Sequence, residues 1–143
     1  MAAYRQPALN FTTPKFVGVL LFDNSDNLFI TKSITTYWPN KWDVSAHRWV
    51  EVGEDSDRIA HELVSNTLTL EAKPYSIGRG TYSLGPCAAS AYDIYRVRSS
   101  QFPRIDRNSI EDGRWVSLQK ISNLLIEDKC ATSLEIALQY LER

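Results

Sequence analysis

Glu51, Glu54 and Glu62 share one short stretch of this chain with its only two histidines, His47 and His61. Carboxylates are hard oxygen ligands, and two or three of them can hold one Mg²⁺ with water completing the shell. Histidine does acid–base work near neutral pH. A metal-free reaction built on His47 or His61 with Glu54 or Glu62 is therefore one chemistry the stretch could support. Arg48 is a candidate anion contact, because a guanidinium pairs well with phosphate. Tyr37, Trp38, Trp42 and Trp49 surround the same residues, and their rings could stack on a base, line an apolar pocket or fill the core. Each charged group also has a plain reading as a solvated surface side chain. For Glu54 and Glu62 that reading is a carboxylate near a helix start, where the macrodipole favours it.

The elements that would carry these groups follow from hydrophobic patterning. The run Phe16 to Phe22 reads as a buried strand, and Asn24-Ser25-Asp26-Asn27 as the turn before a returning strand at Leu28 to Thr31. Trp42 to Ala46 and Trp49 to Val52 are short strand candidates. Ser56 is the expected N-cap of a helix through about Leu68, with Ile59 and Leu63 facing the core. Strands are expected near Tyr75–Leu84, with Gly78-Arg79-Gly80 a loop or bulge signal, and near Ala88–Val97. A last strand at Gly113 to Ser117 runs into a helix from Leu118 to about Glu127, whose apolar face is Leu118, Ile121, Leu124 and Leu125. Thr132 with Glu135 has capping-box spacing and opens a terminal helix with Leu134, Ala137, Leu138 and Leu141 on one face. This order of strands and helices fits an α/β fold, an α/β/α sandwich on a mixed β-sheet. The 143 residues are read as a single domain, with residues 1–14 as an N-terminal extension.

Bulk composition narrows the partners. A net charge of −1 supplies no clustered positive excess for duplex nucleic acid or an anionic membrane. The apolar run Phe16 to Phe22 is far shorter than a membrane span, and Met1 to Thr13 has no apolar core of signal-peptide length. Cys87 and Cys130 have no metal-site spacing and read as reduced structural thiols. The expectation is a cytoplasmic protein that takes a small-molecule ligand, with a homodimer left open.

The run Trp38-Pro39-Asn40-Lys41-Trp42-Asp43, followed by Val50-Glu51-Val52-Gly53-Glu54, resembles the entry to a Nudix box. Its Trp-Pro-x-x-Trp-Asp is similar to the isopentenyl-diphosphate-isomerase-like branch of the Nudix hydrolases. The likeness covers roughly residues 15 to 142 and implies a Nudix-like sandwich, with the box helix after the third strand. In the family, that helix projects carboxylates at i, i+3 and i+4 that hold Mg²⁺ on a diphosphate. Anchored on Gly53-Glu54, the opening box glycine falls on Arg48 and the Gly often found before it on His47. With one residue deleted, the box Arg falls on His61, the first helix Glu on Glu62, and the paired glutamates on Ser65 and Asn66. Without the deletion the pair falls on Asn66 and Thr67, so both members are missing in either register. The isomerase-type Cys-Gly-His is replaced by Ala46-His47-Arg48.

The resemblance therefore implies a Nudix-fold protein with a degenerate box. Three readings follow. The first is a protein that binds a small molecule, a diphosphate among the candidates, or catalyses a metal-independent reaction in the former pocket. No cofactor is required there, and Mg²⁺ is optional, held weakly by Glu51, Glu54 and Glu62. The second is a divergent Mg²⁺-dependent hydrolase of a nucleoside or isoprenoid diphosphate, drawing also on a later acid such as Glu111. The third is a non-catalytic structural or interaction subunit. In the first, Glu54, Glu62, His47 and His61 are the candidate catalytic residues, and Arg48, Trp49, Trp38 and Tyr37 the candidate ligand contacts.

Overall fold

The computed structural model describes residues 14–34, 38–51, 53–82 and 90–142, with the side chain of Glu51 outside that set. Tyr37, Cys87 and residues 1–13 of the expected extension also lie outside the described residues, whereas Pro14 already belongs to the first strand. The strands are β1 (Pro14–Phe22), β2 (Leu28–Ser33), β3 (Ala46–Glu51), β4 (Tyr75–Tyr82), β5 (Ser90–Arg98) and β6 (Ile110–Val116). The helices are α1 (Ser56–Glu62), α2 (Leu118–Ile126) and α3 (Thr132–Leu138). A π-helical turn, Leu63–Thr67, extends α1, and a 3₁₀ turn, Gln139–Glu142, extends α3.

The six strands form one mixed sheet in the order β4-β5-β1-β2-β6, with β3 also paired to β1. β5 runs parallel to β1 along Lys15 to Phe22. A parallel central pair must be covered on both faces, which is why Phe16 to Phe22 is apolar without alternation. Phe16, Leu20, Phe22 and Ile94 meet Ile121, Leu124, Leu134 and Ala137 of α2 and α3 on one face. Val17, Val19, Leu21 and Tyr95 meet Ile59, Ala60, Leu63 and Val64 on the other. The result is the expected α/β/α sandwich.

The opposite edge of β1 changes partner part-way along. Pro14 to Val19 pair with β3, then Leu21 and Phe22 pair with β2. Ser45, fully buried, fills the fork. Its amide donates to the Val19 carbonyl at 2.9 Å, and its hydroxyl donates to the Phe29 carbonyl at 2.5 Å and accepts the Leu21 amide at 2.8 Å. Thr31 and Asp43 exchange backbone hydrogen bonds beside it, and the Thr31 hydroxyl donates to the Val44 carbonyl at 2.7 Å. The expected strand Trp42 to Ala46 is thus replaced by two isolated bridges, Thr31 with Asp43 and Trp42 with Cys130.

Several element ends differ from expectation. The N-cap of α1 is Asp55, not Ser56; its carboxylate accepts the Asp57 amide at 3.1 Å. Two good capping residues stand side by side there, and the chain uses the first. Gly53, with φ of 112°, makes the turn into it, a conformation that costs glycine little. Substitution should separate the two candidates. Asp55→Ala is expected to cost about 1 kcal/mol in urea unfolding, while Ser56→Ala, which removes a buried hydroxyl unmatched among the described residues, is expected to cost nothing or to stabilise. Equal losses would return the cap to Ser56.

The box helix reaches Thr67, but its last turn is widened, with the Leu68 amide bonding the Leu63 carbonyl at 3.1 Å. The Ser65 hydroxyl takes the His61 carbonyl at 3.0 Å, the back-bonding that bends helices. The expected capping box of α3 does not form: its N-cap is Ala131 and no side chain caps it. Ala131 is fixed by the backbone, its amide donating to the Trp42 carbonyl at 2.8 Å. Leu118, expected on the apolar face of α2, is 43% exposed, and Ile121 and Leu124 carry that face.

Candidate functional site

Alternation along β3 decides where its side chains go. Ala46 and Val50 join the α1 face of the core, and Arg48 points to the same side. His47 and Trp49 point to the α2–α3 face. There Phe16 stacks on His47 at 5.2 Å and meets Trp49 edge-on at 5.3 Å.

On the α1 side four charged groups converge. Arg48 lies 3.5 Å from Glu62 and 4.0 Å from Glu54. Arg58 lies 2.6 Å from Glu62 and 3.8 Å from Glu54. Each carboxylate is shared between two guanidiniums, so the formal charges cancel. The four side chains are between one-third and about half exposed. Pairs of that kind contribute at most about 1 kcal/mol each, so the network says more about charge than about stability. Ser65 and Asn66, one turn on, are exposed and neutral.

The metal implied by the fold fits these residues poorly. The two carboxylates already face guanidiniums, and a neutral hydroxyl and amide are weak ligands for a hard cation. Among the described residues no three histidine, cysteine, aspartate or glutamate side chains are grouped to hold an ion.

The two histidines are not brought together. His61 is exposed on α1, its Nδ1 donating to the Asp57 carbonyl at 2.8 Å. His47 is almost enclosed, its side chain 10% exposed and its Nδ1 3.9 Å from Asp43 Oδ2. Asp43, which closes the Trp-Pro-x-x-Trp-Asp run and has no role of its own in the sequence reading, lies behind His47. It is 1% exposed. Its Oδ1 accepts the Val44 amide at 2.7 Å and the Ser133 hydroxyl at 2.6 Å. Its Oδ2 is buried with no hydrogen-bond partner among the described residues. The available signal was an acid lodged between Trp42 and Val44, both core residues.

A cavity of about 290 Å³ joins several of these groups. His47, Arg48 and Trp49 of β3 line it with Thr31 and Ser33 of β2 and Ser109 before β6. Of the aromatic set, Trp42 is a core residue, with Lys32 and Arg114 over its ring at 4.7 and 4.9 Å. Trp38 packs against the same core from a half-buried position.

No protein-family model matches the sequence, and no curated protein matches it. Solved structures do match the fold. The MutT protein from Methanosarcina mazei Go1 is 13% identical with a TM-score of 0.74, over 94% of this chain and 97% of that one. The NUDIX domain of Shewanella oneidensis NrtR, solved with ADP ribose, is 15% identical with a TM-score of 0.72, over 99% and 94%. DR0079 from Deinococcus radiodurans is 20% identical with a TM-score of 0.69, over 96% and 86%. The chain therefore has the Nudix fold, an α/β/α sandwich on a mixed sheet. Among the described residues no helix is long and apolar enough to cross a membrane.

Proposed function

We propose that this Nudix-fold chain binds a small diphosphate-bearing molecule without hydrolysing it efficiently, in the cavity lined by His47, Arg48 and Trp49. The observation that carries this is the seating of Arg48. Its guanidinium stands between Glu54 and Glu62, where the box pattern would place metal ligands. It is a guanidinium already paired with two carboxylates, beside a cavity that also offers several hydroxyls. Guanidinium supplies paired donors to a phosphate without a metal. The ADP ribose in the NrtR domain is a molecule of this class. The branch suggested by the Trp-Pro-x-x-Trp-Asp run adds isoprenoid diphosphates to the candidates.

Calorimetry with ADP-ribose and isopentenyl diphosphate, with and without EDTA, tests the reading. One of them should bind equally well in the chelator, and Arg48→Ala should weaken it about tenfold or more. Product release on the time scale of an ordinary enzyme, abolished by EDTA, would instead establish the divergent hydrolase. That second reading rests on the survival of Glu54 and Glu62 as neighbours at the box. The subunit reading gains little, since Ile34, Tyr75, Tyr82, Phe102, Leu118 and Ile126, the exposed large apolar residues described, sit no more than two to an element, and both pairs, Tyr75 with Tyr82 and Leu118 with Ile126, lie at opposite ends of theirs.

A further inference from the structure

A second and larger cavity, about 520 Å³, lies between the opening of α1 and the sheet, and shares no lining residue with the first. Its size is that of ordinary small-molecule sites. The sheet wall carries Lys15, Arg79, Asp93 and Tyr95, and the helix wall carries Asp55, Ser56 and Asp57, with Glu54, already paired to Arg48 and Arg58, at its edge.

The charges on the two walls are not equally compensated. Asp93, 4% exposed, is satisfied: Arg79 stands 3.4 Å away, the Ser76 hydroxyl donates to it at 2.8 Å and the Tyr95 hydroxyl lies at 3.3 Å. Lys15 donates to the Glu54 carbonyl at 3.3 Å, and no carboxylate among the described residues pairs with it. Among the described residues the sheet wall therefore keeps one cation without a paired carboxylate. On the helix wall Asp57 accepts the Tyr95 hydroxyl at 2.5 Å and Asp55 caps the Asp57 amide. Neither carboxylate has a basic partner among the described residues. Burial, together with the Asp57 hydrogen bond, holds the Tyr95 phenol protonated well above the usual tyrosine range. Tyr95 thus remains a donor, and it fixes the Asp57 carboxylate in place. Between the walls the Ser56 hydroxyl is buried with no hydrogen-bond partner among the described residues. A buried polar atom left unmatched costs about 1–3 kcal/mol, a cost that a ligand group reaching it would relieve.

We infer that this cavity is a binding site for a small zwitterion bearing both an amine and a carboxylate, an amino acid or short peptide. The carboxylate lies toward Lys15 and the Ser56 hydroxyl, and the amine toward Asp55 and Asp57. Ala91 supplies apolar surface for the remainder. The site is independent of the diphosphate reading, and either can fail without the other.

The test is a thermal-shift screen of the twenty standard amino acids at millimolar concentration, with the strongest followed by calorimetry and amide chemical shifts. At least one should raise the unfolding temperature, while its analogues lacking the amine or the carboxylate should not. Lys15→Gln and Asp57→Asn should each weaken it about tenfold or more. Amide shifts should centre on residues 54–57 and 91–95. The inference is overturned if no amino acid binds, or if the carboxylate-only analogue binds as well as the zwitterion. It is equally overturned if Lys15→Gln, which removes a side chain outside the core, leaves affinity unchanged, or if the shifts centre on residues 31–33 and 47–49.

Discussion

The variant Arg48→Gly/Ser65→Glu/Asn66→Glu will bind Mg²⁺ at least about tenfold more tightly than the natural chain, whose own affinity is weaker than about millimolar. Glu62 then heads a set of three carboxylates at i, i+3 and i+4, on one side of the helix. Removing Arg48 takes away the guanidinium that now lies 3.5 Å from Glu62 and 4.0 Å from Glu54. Both halves of the change are needed. The glutamates alone would add acids beside a resident cation, and Arg48→Gly alone would leave two carboxylates still held by Arg58. Titration calorimetry decides it. Micromolar Mg²⁺ binding by the natural chain would sink the degenerate-box reading. No gain in the triple variant would mean that the widened turn at Leu63–Thr67 aims positions 65 and 66 elsewhere.

Ser45→Ala will destabilise the fold by about 2–4 kcal/mol, although it deletes a single oxygen. That oxygen both accepts from the Leu21 amide and donates to the Phe29 carbonyl. Without it two buried backbone groups lose partners, each at about 1–3 kcal/mol. The fork is fully enclosed, so water does not substitute. Urea unfolding should show a midpoint lower by about 1–2 M. A shift close to zero would mean that β1, β2 and β3 close up around the smaller residue and re-pair directly.

The scaffold was legible where its cause is local. The apolar run of β1, interrupted only by Gly18, the Ile59–Leu63 spacing in α1, and the strand running into α2 all follow from hydrophobic period. The bulge signalled by Gly78-Arg79-Gly80 is present as a register shift between Ser76 and Gly78. What sequence could not supply was facing. His47 and Arg48 are adjacent in the chain, yet β3 sends one against Phe16 and the other against Glu62. The i,i+4 spacing of Glu54, Arg58 and Glu62 accounts for two of the ion pairs, but no spacing rule brings Arg48 to them. The same limit explains the capping errors. Thr132 and Glu135 have the right separation, but Ala131 is held by Trp42, far away in the chain, and that contact leaves the box unused. Sequence shows Asp43 only as the end of the Trp-Pro-x-x-Trp-Asp run, because its other feature is one oxygen unmatched among the described residues, which exists only once Ser133 and Val44 have taken the other.

The parallel pairing of β1 with β5 has a consequence for synthesis on the ribosome. β1 can pair with β2 and β3 soon after they emerge, but its long parallel partner, β5, is translated only after α1 and β4. At roughly 5–20 residues per second the wait is on the order of several seconds. During that time a strand apolar on both faces has one side without its permanent neighbour. Such an open edge is a template for wrong pairing with other chains. Expression at lower temperature, or with a chaperone that shields nascent apolar segments, is therefore expected to raise the soluble yield more than any change at the chain's surface.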